Sequence, residues 1–428
     1  MRLRRCAVLF LEPRESVAFE LESLLSGGDG LRRRREWLAK APHLETDVPV
    51  DTADREALGS ISPSAWLDFQ SVLAVASRTT LEGLLAKGLL IGDGPDHAAH
   101  RERDQVIRDT HWEPLSALAQ VRSRWQGADS EQGSRDLGLA TFADMVDRLG
   151  QPPPHLYSRG EAGTRIVLAP PRRTAIDELL GRRVTCRNWD LERPLDTATI
   201  ADLMHRVHAA QAVHQAAPTA SVLKKTSPSG GSLHPTEAYL LVRHVEGVVP
   251  GLYHYHAGEH ALEPLPWPDA LATSLVARQR AARGEPPQEG AISPGDDAAL
   301  RDFASALLAG QHWFGDAHVL VFMTSRFRRH TWKYRHHAKA LRVLLLDVGH
   351  LSQTLYLSAT EFGLGAFITG AVNDVEIEQA LGIDPLQEGV MAVNGFGWRG
   401  DTRGTVEFDP LRKVWGDWGT AERAGNGK

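Results

Sequence analysis

Residues Lys333–Gly370 read KYRHHAKALRVLLLDVGHLSQTLYLSATEFGLGAFITG. From Ala338 to Phe362 there is no proline, and the one glycine is Gly349. Leu341, Leu344, Leu345, Val348, Leu351, Leu355 and Phe362 follow the i, i+3, i+4, i+7 rhythm of an amphipathic helix. Val343, Leu346, Tyr356 and Leu357 spread apolar surface round the rest of the circumference, which predicts a helix buried on most sides. About 25 residues at 1.5 Å each span roughly 37 Å, enough to cross a domain. Gly363 and Gly365 supply the stop. Arg342, Asp347, His350 and Glu361 interrupt the apolar run too often for a membrane span. The stretch is the central helix of a globular domain, entered through a Lys333-Tyr334 pair and left through a glycine-rich turn.

Upstream of that helix, HVLVFMTS at 318–325 reads as a strand and 299–309 as a helix. Residues 280–298 are polar and rich in Gly and Pro, the pattern of a mobile loop. YLLVRHVEG, GLYHYHAG and HALEPL are strand-like, the last two forming a hairpin, while TAIDELLGRR and TATIADLMHRVHAAQ are helical. Downstream lie a helix near 374–382 and the strand GVMAVNGFG. Strands and helices mix without clean βαβ alternation, so the class is α+β. Residues 151–173 hold five prolines in 23 residues. They mark a Pro-rich linker at 151–172, between a small α/β domain at 1–150 and a larger one at 173–420. Residues 421–428 read as a disordered tail.

In the N-terminal domain, CAVLFL at 6–11 reads as a short strand, with helical patterning on to Leu25. Arg32 to Arg35 form a basic run, read as a solvated helix face in preference to a nucleic-acid contact. Near 81–91, LLAKGLLI gives helix, glycine turn and strand, the order a winged helix shows near its wing. HWEPLSALAQVRSRW and TFADMVDRLG add two more helices.

The 428 residues exceed what one hydrophobic core usually serves, in keeping with two domains. A net charge of −6 gives no overall drive toward nucleic acid or an anionic membrane. Two cysteines, Cys6 and Cys186, exclude a disulfide framework and a thiolate metal cluster. The apolar run before Glu12 is about six residues, shorter than a signal-peptide core, so a cytoplasmic location is expected.

Three stretches can carry chemistry. Arg183, Thr185 and Arg187 alternate along an extended segment, placing two guanidinium forks and a hydroxyl on one side, which suits a phosphate. Taken alone, such a segment is more often a solvated charged face. Ser227–Pro235 (SPSGGSLHP) lets backbone approach a ligand closely and offers successive amides, or is simply a loop. Gly363–Gly370 leaves a helix instead of opening one, so it is not the dinucleotide fingerprint; a helix cap needs Gly363 or Gly365 but not Gly370. Burial of Lys333 before the helix would tune it for acid or base work. His234, His336, His337 and His350 lack carboxylates at matching spacing, so no metal site is assigned.

Taken in order, RVTCRNWD, SPSGGSLHPTEAYLLV, GLYHYHAGEHALEPL, WKY, LLLDVGHLSQTLYLSATEFGLGAFITG and NGFG resemble the SagB-type dehydrogenases of the flavin-dependent nitroreductase superfamily, over about 175–400. The resemblance implies a nitroreductase-like α+β fold with an antiparallel-dominated sheet. It also implies a homodimer with FMN bound across its interface, and a peptide substrate made on the ribosome. Arg183, Thr185 and Arg187 match the family's phosphate-binding element, with Thr185 where serine is usual. Ser229, Gly230 and Gly231 match the flavin-contacting loop, His234 lies close behind, and Thr369 with Gly370 matches the turn against the isoalloxazine. Arg412 matches a further phosphate contact. Lys333 and Tyr334 match the pair that azoline-oxidising members use, one as base and the other orienting substrate.

The implied activity is oxidation of an azoline to an azole, or a related peptide dehydrogenation, with partners such as a cyclodehydratase. The rivals are an NAD(P)H-dependent nitro or quinone reductase, and a non-catalytic flavin-binding regulator or scaffold. Residues 1–150 fall outside the nitroreductase core and are expected to be an accessory domain that offers a peptide-binding sheet edge.

Overall fold

The computed structural model describes residues 1–160, 162–286 and 290–416, so the tail expected at 421–428 lies outside the described residues. The chain forms two compact units. One joins Met1–Arg124 to Arg326–Val343 and Asp384–Glu388; the other holds Trp125–Ser325, Leu344–Ile383 and the chain from Gly389. This partition differs from a linear boundary near 150–172, and the backbone after Arg124 gives the reason. Trp125, Gly127 and Ala128 N–H groups donate to Asp374, Glu376 and Asn373 side chains at 2.9, 2.8 and 2.8 Å. The segment is thereby fastened to the second unit well before the prolines.

The first unit contains two three-stranded sheets. One orders Leu67–Asp68, Arg2–Arg5 and Leu90–Gly92; the other orders Phe10–Phe19, Leu31–Lys40 and Val48–Val50. Leu3, Leu58, Leu81, Leu84, Leu90 and Ile91 fill its core. Of residues 6–11, expected as one strand, 6–9 form the connection between two strands and only Phe10 and Leu11 are strand; the helix-patterned stretch beyond them is mostly strand. Phe10–Phe19 lies antiparallel to Leu31–Lys40, from Phe10 opposite Lys40 to Phe19 opposite Leu31. Cross-strand pairing overrides the local pattern here, and only Leu21–Leu25 at the tip is helical. Arg32 to Arg35 therefore sit on an exposed strand, where Arg32, Arg33 and Arg35 pair with Glu20, Asp29 and Glu15. The predicted helix, turn and strand appear as Arg78–Ala86, Gly88 at φ +71° and Leu90–Gly92.

The second unit is built on a six-stranded sheet. Its spatial order is Ala261–Pro264, Gly251–His256, Thr236–Val242, Val319–Arg326, Glu388–Gly397, Gly365–Thr369. The pairs between the first four strands, and the last pair, run antiparallel. Alternation splits the side chains between two faces. Leu240, Val242, Val319 and Val321 pack with Leu203, Val348, Leu351 and Leu355. Leu241, Leu320 and Phe322 pack with Leu275, Leu300, Phe303 and Ile377. This is the α+β arrangement expected: an antiparallel-dominated sheet, a long helix, and a mixed unit ahead of them. In the stretch 280–298, Ile292 is buried and its carbonyl accepts Trp267 Nε1–H at 2.9 Å, so that part is packed. A hairpin at Ala212–Ala217 and Ala220–Lys224 was not anticipated.

The long helix runs Ala340–Glu361, 22 residues and about 33 Å. Leu364 N–H closes its end on Ala359 O at 2.8 Å, across Gly363 at φ +74°. Glycine adopts that conformation without a steric cost. Burial is one-sided, contrary to the reading from composition. Leu344, Val348, Leu351, Leu355 and Ala359 are buried, whereas Leu345 and Leu346 are 52% and 55% exposed. The helix packs on one sheet face, with Leu345 and Leu346 on its opposite side. Among the described residues no helix is long and apolar enough to cross a membrane.

Candidate functional site

Arg183, Thr185 and Arg187 follow the helix Ala175–Arg182. Cys186 N–H donates to Ala366 O at 2.9 Å, and Thr185 bridges Ala366 in parallel, which keeps this segment extended beside the strand Gly365–Thr369. Gly365 permits that approach, because a Cβ there would stand 2.4 Å from Cys186 Sγ. Burial pushes the Cys186 thiol up to about 12, so it is a packing group and not a nucleophile. Thr185 Oγ1 lies 3.0 Å from Tyr356 Oη, which also accepts Ile368 N–H at 3.0 Å. The Arg183 guanidinium sits 5.3 Å from the Tyr356 ring centre. Arg187 lies 5.8 Å from the Phe314 ring and donates to Val406 O at 3.2 Å.

Buried carboxylates hold the C-terminal segment to this place. Glu407 accepts Arg187 N–H, Asn188 N–H and Asn188 Nδ2–H at 2.6, 3.0 and 2.8 Å, and Trp415 Nε1–H at 2.8 Å, and it pairs with Arg399. Burial would raise Asp409, but the Trp415, Val414 and Lys413 amides hold its carboxyl below the usual range. Lys413 pairs with Glu178 at 3.1 Å, so Arg412 is carried beside the helix that leads into Arg183. Arg412 is exposed. Among the described residues, none of Arg183, Arg187 and Arg412 has an ion-pair partner.

The glycine-rich loop is tied to the long helix. Ser229 Oγ donates to Asp347 Oδ2 at 2.5 Å, Gly230 N–H donates to Asp347 Oδ1 at 3.0 Å, and His234 N–H donates to Ser229 Oγ at 3.0 Å. Ser227 Oγ lies 2.8 Å from Thr354 Oγ1. The Ser229 hydroxyl and the Gly230 amide, in the stretch expected to contact flavin, thus face the helix. Gly231, Ser232 and His234 take left-handed φ of +66°, +56° and +44°. Lys225, Ser229, His234, Thr236 and Asp347 wall a small concavity of about 10 Å³.

Thr369 Oγ1 donates to Gln311 Oε1 at 3.2 Å and accepts Ala371 N–H at 3.1 Å, which fixes the turn into Gly370. Gly370 is exposed, and a Cβ there would meet nothing within 4 Å. Tyr356 and Asp347, both on the long helix, therefore gather the stretches at 183–187, 229–234 and 368. Sequence reading missed both: Tyr356 passed as apolar surface, and Asp347 as an interruption. The available signal was an acid on the buried stripe, between Leu344 and Leu351.

Lys333 and Tyr334 belong to the first unit. Lys333 is exposed, so the burial expected of it is not found. Its Nζ lies 5.7 Å from the Tyr334 ring, which leans on the buried His330 ring at 4.8 Å. His336 Nδ1 lies 3.0 Å from Trp112 O, and His336 N–H donates to His111 O at 3.0 Å. Residues 110–112 thus hold the loop that carries the pair. Among the described residues, no three His, Cys, Asp or Glu side chains are grouped as metal ligands.

The model of the nitroreductase family matches residues 180–398. Trifolitoxin-processing protein TfxB of Rhizobium leguminosarum bv. trifolii is 29% identical over 175 residues, 41% of this chain and 39% of that protein. The chain thus spans well under two thirds of TfxB. "Putative nitroreductase MJ1384" of Methanocaldococcus jannaschii is 29% identical over 208 residues, 49% of this chain and 84% of that protein. A chain of the E. coli microcin synthetase McbBCD complex with truncated pro-MccB17 is 18% identical with a TM-score of 0.46, covering 69% of this chain and 94% of that one.

Proposed function

The chain belongs to the nitroreductase family, and from that premise we propose that it is an FMN-dependent dehydrogenase of the SagB type. Its substrate is a ribosomally made peptide, in which it oxidises an azoline to an azole or makes a related dehydrogenation. The observation that carries this reading is that one helix, through Tyr356 and Asp347, gathers the Arg183–Arg187 segment, the glycine-rich loop and the strand that leads into Gly370. TfxB, named for trifolitoxin processing, supports the choice of a peptide.

The residues fit FMN. Among the described residues a Cβ at 370 would meet no atom within 4 Å, and bare backbone suits the face of a flat ring. Arg183, Arg187 and Arg412 offer charge-assisted donors for one terminal phosphate, with Thr185 beside them. Bound FMN would supply the hydride acceptor. Lys333 or Tyr334 takes the neighbouring proton, and the other orients the peptide. The reading includes a cytoplasmic homodimer with the flavin across its interface, and maturation partners such as a cyclodehydratase. The unit holding residues 1–124 serves the peptide.

The purified protein should be yellow, release FMN and not FAD on denaturation, and sediment as a dimer. A colourless protein that fails to bind added FMN would sink the reading. Rapid steady-state NADH oxidation with nitro or quinone acceptors, and none with peptide, would select the reductase alternative.

A further inference from the structure

We propose that Asp347 is the positioning residue that sets the Ser229–His234 loop for its ligand, with the Ser229 hydroxyl acting through Asp347 and not on the ligand. The identity of that ligand as FMN rests on the function proposed above; the clamp itself does not.

Asp347 is 4% exposed, and its two carboxylate oxygens are divided between two donors of the loop. Oδ2 takes the Ser229 hydroxyl at 2.5 Å and Oδ1 takes the Gly230 amide at 3.0 Å. The only proton Ser229 Oγ owns is thus committed, and its lone pair receives His234 N–H at 3.0 Å. One carboxylate therefore fixes the start of the loop directly and its end through Ser229. Charge-assisted bonds of this kind are the stronger class. They are needed here, because Ser232 and His234 hold φ of +56° and +44°, which L residues adopt at a cost. A loop without the clamp would relax toward commoner backbone angles and turn its remaining groups away from the ligand. Ser227 and Thr354, 2.8 Å apart, form a separate anchor. It keeps the loop on the helix when Asp347 is altered.

The test has two arms on the full chain. In the first, amide hydrogen exchange is followed without flavin. Asp347→Ala should lose protection at both Gly230 and His234, whereas Ser229→Ala should lose it at His234 alone. In the second, FMN is titrated and its visible spectrum recorded. Each single variant should bind FMN about ten- to hundredfold more weakly, and the double variant should bind no more weakly than Asp347→Ala. Asp347→Asn, which keeps one acceptor, should recover part of the affinity and of the spectrum. If Asp347→Ala does not fold, Asp347→Asn alone and combined with Ser229→Ala read the same coupling. Additive losses would place Ser229 on the ligand and overturn the proposal. So would unchanged exchange at Gly230 and His234 in the altered Asp347. Failure of the unaltered chain to bind FMN defeats the proposed function, while the exchange arm still decides the clamp.

Discussion

Thr185 Oγ1 and Tyr356 Oη stand 3.0 Å apart, and the same phenol oxygen receives Ile368 N–H at 3.0 Å. One hydroxyl therefore joins three segments that are far apart in sequence. Tyr356→Phe keeps the ring but leaves the Ile368 amide and Thr185 without this partner. An unpaired buried group costs about 1–3 kcal/mol, and urea unfolding should show a loss of that order. FMN should also bind less tightly, because Thr185, in the arginine-bearing segment, loses its tie to the long helix. An unchanged unfolding midpoint would mean that water replaces the hydroxyl at no cost.

Arg187→Ala should weaken flavin retention more than it harms the fold. Its backbone anchor to Glu407 survives the substitution, since the main-chain N–H makes that bond at 2.6 Å. A charge-assisted bond to phosphate is worth on the order of 1.5–3 kcal/mol, or about ten- to hundredfold in affinity. Flavin occupancy measured across a dilution series is the check. Occupancy equal to wild type would leave the Arg187 side chain as a structural contact to Val406 and Phe314.

Acid should destabilise the second unit through two buried imidazoles. Burial, with the charge of Lys225, lowers His208 to about 3 from 6.5. Burial lowers His318 to about 4, with Arg243 and His244 adding repulsion. Both are neutral when folded, so the unfolded chain binds more protons at acid pH. Stability is complete above about pH 6.5 and falls as pH drops toward 4, each group adding up to about 1.4 kcal/mol per pH unit. Among the described residues neither His208 ring nitrogen has a hydrogen-bond partner, so His208→Leu should flatten the slope without a large loss at pH 7. A slope equal to wild type in that variant would remove His208 from the account.

The amphipathic rhythm of Leu344, Val348, Leu351 and Leu355 announced the long helix, and alternating apolar runs announced most of the large sheet. Pairing is not written in such local patterns, and two misreadings share that cause. Phe10–Phe19 carries charges at a spacing that also fits a helix, and only Leu31–Lys40 opposite makes it a strand. The first unit's second and third pieces, Arg326–Val343 and Asp384–Glu388, lie more than 200 residues from Arg124 in the chain, and no composition shift marks them. In the site, Arg183, Ser229 and Gly370 stood out by residue type. Tyr356 and Asp347 did not, because their work is done by one hydroxyl and one carboxylate on a helix that reads as core.

Lys333→Ala and Tyr334→Phe should leave FMN binding intact and slow peptide oxidation. A positioned acid or base contributes about 10²–10⁴-fold. Flavin bleaching by peptide under anaerobic conditions isolates the chemical step. Wild-type rates in both variants would remove the pair from the reaction.

Removal of residues 1–169 should do more than delete an accessory domain. A chain beginning at Pro170 keeps Arg183, Thr185, Arg187, Ser229, Thr369 and Gly370, so FMN should remain bound. It also keeps Arg326–Val343 and Asp384–Glu388, but strips them of their own unit. Phe327 loses the Trp112 ring at 4.6 Å, and Leu386 O loses the Trp112 Nε1–H donor at 3.4 Å. Thr331 loses its bond to Thr110 O, and His336 loses its contacts with His111 and Trp112. Phe327, His330 and Thr331, all buried in the whole chain, would face water. Exposing a buried aromatic side chain alone costs about 1.5–3 kcal/mol, so the Lys333-Tyr334 loop should lose its fixed form. The truncated chain is therefore expected to hold flavin, to be cut readily by trypsin at Arg335 or Lys339, and to fail on short core peptides as well as on full precursor. Trp112→Ala in the full chain should show the same split more mildly, with normal FMN affinity and slowed peptide oxidation. Turnover of a short peptide at the full rate by the truncated chain would show that the first unit serves precursor binding alone.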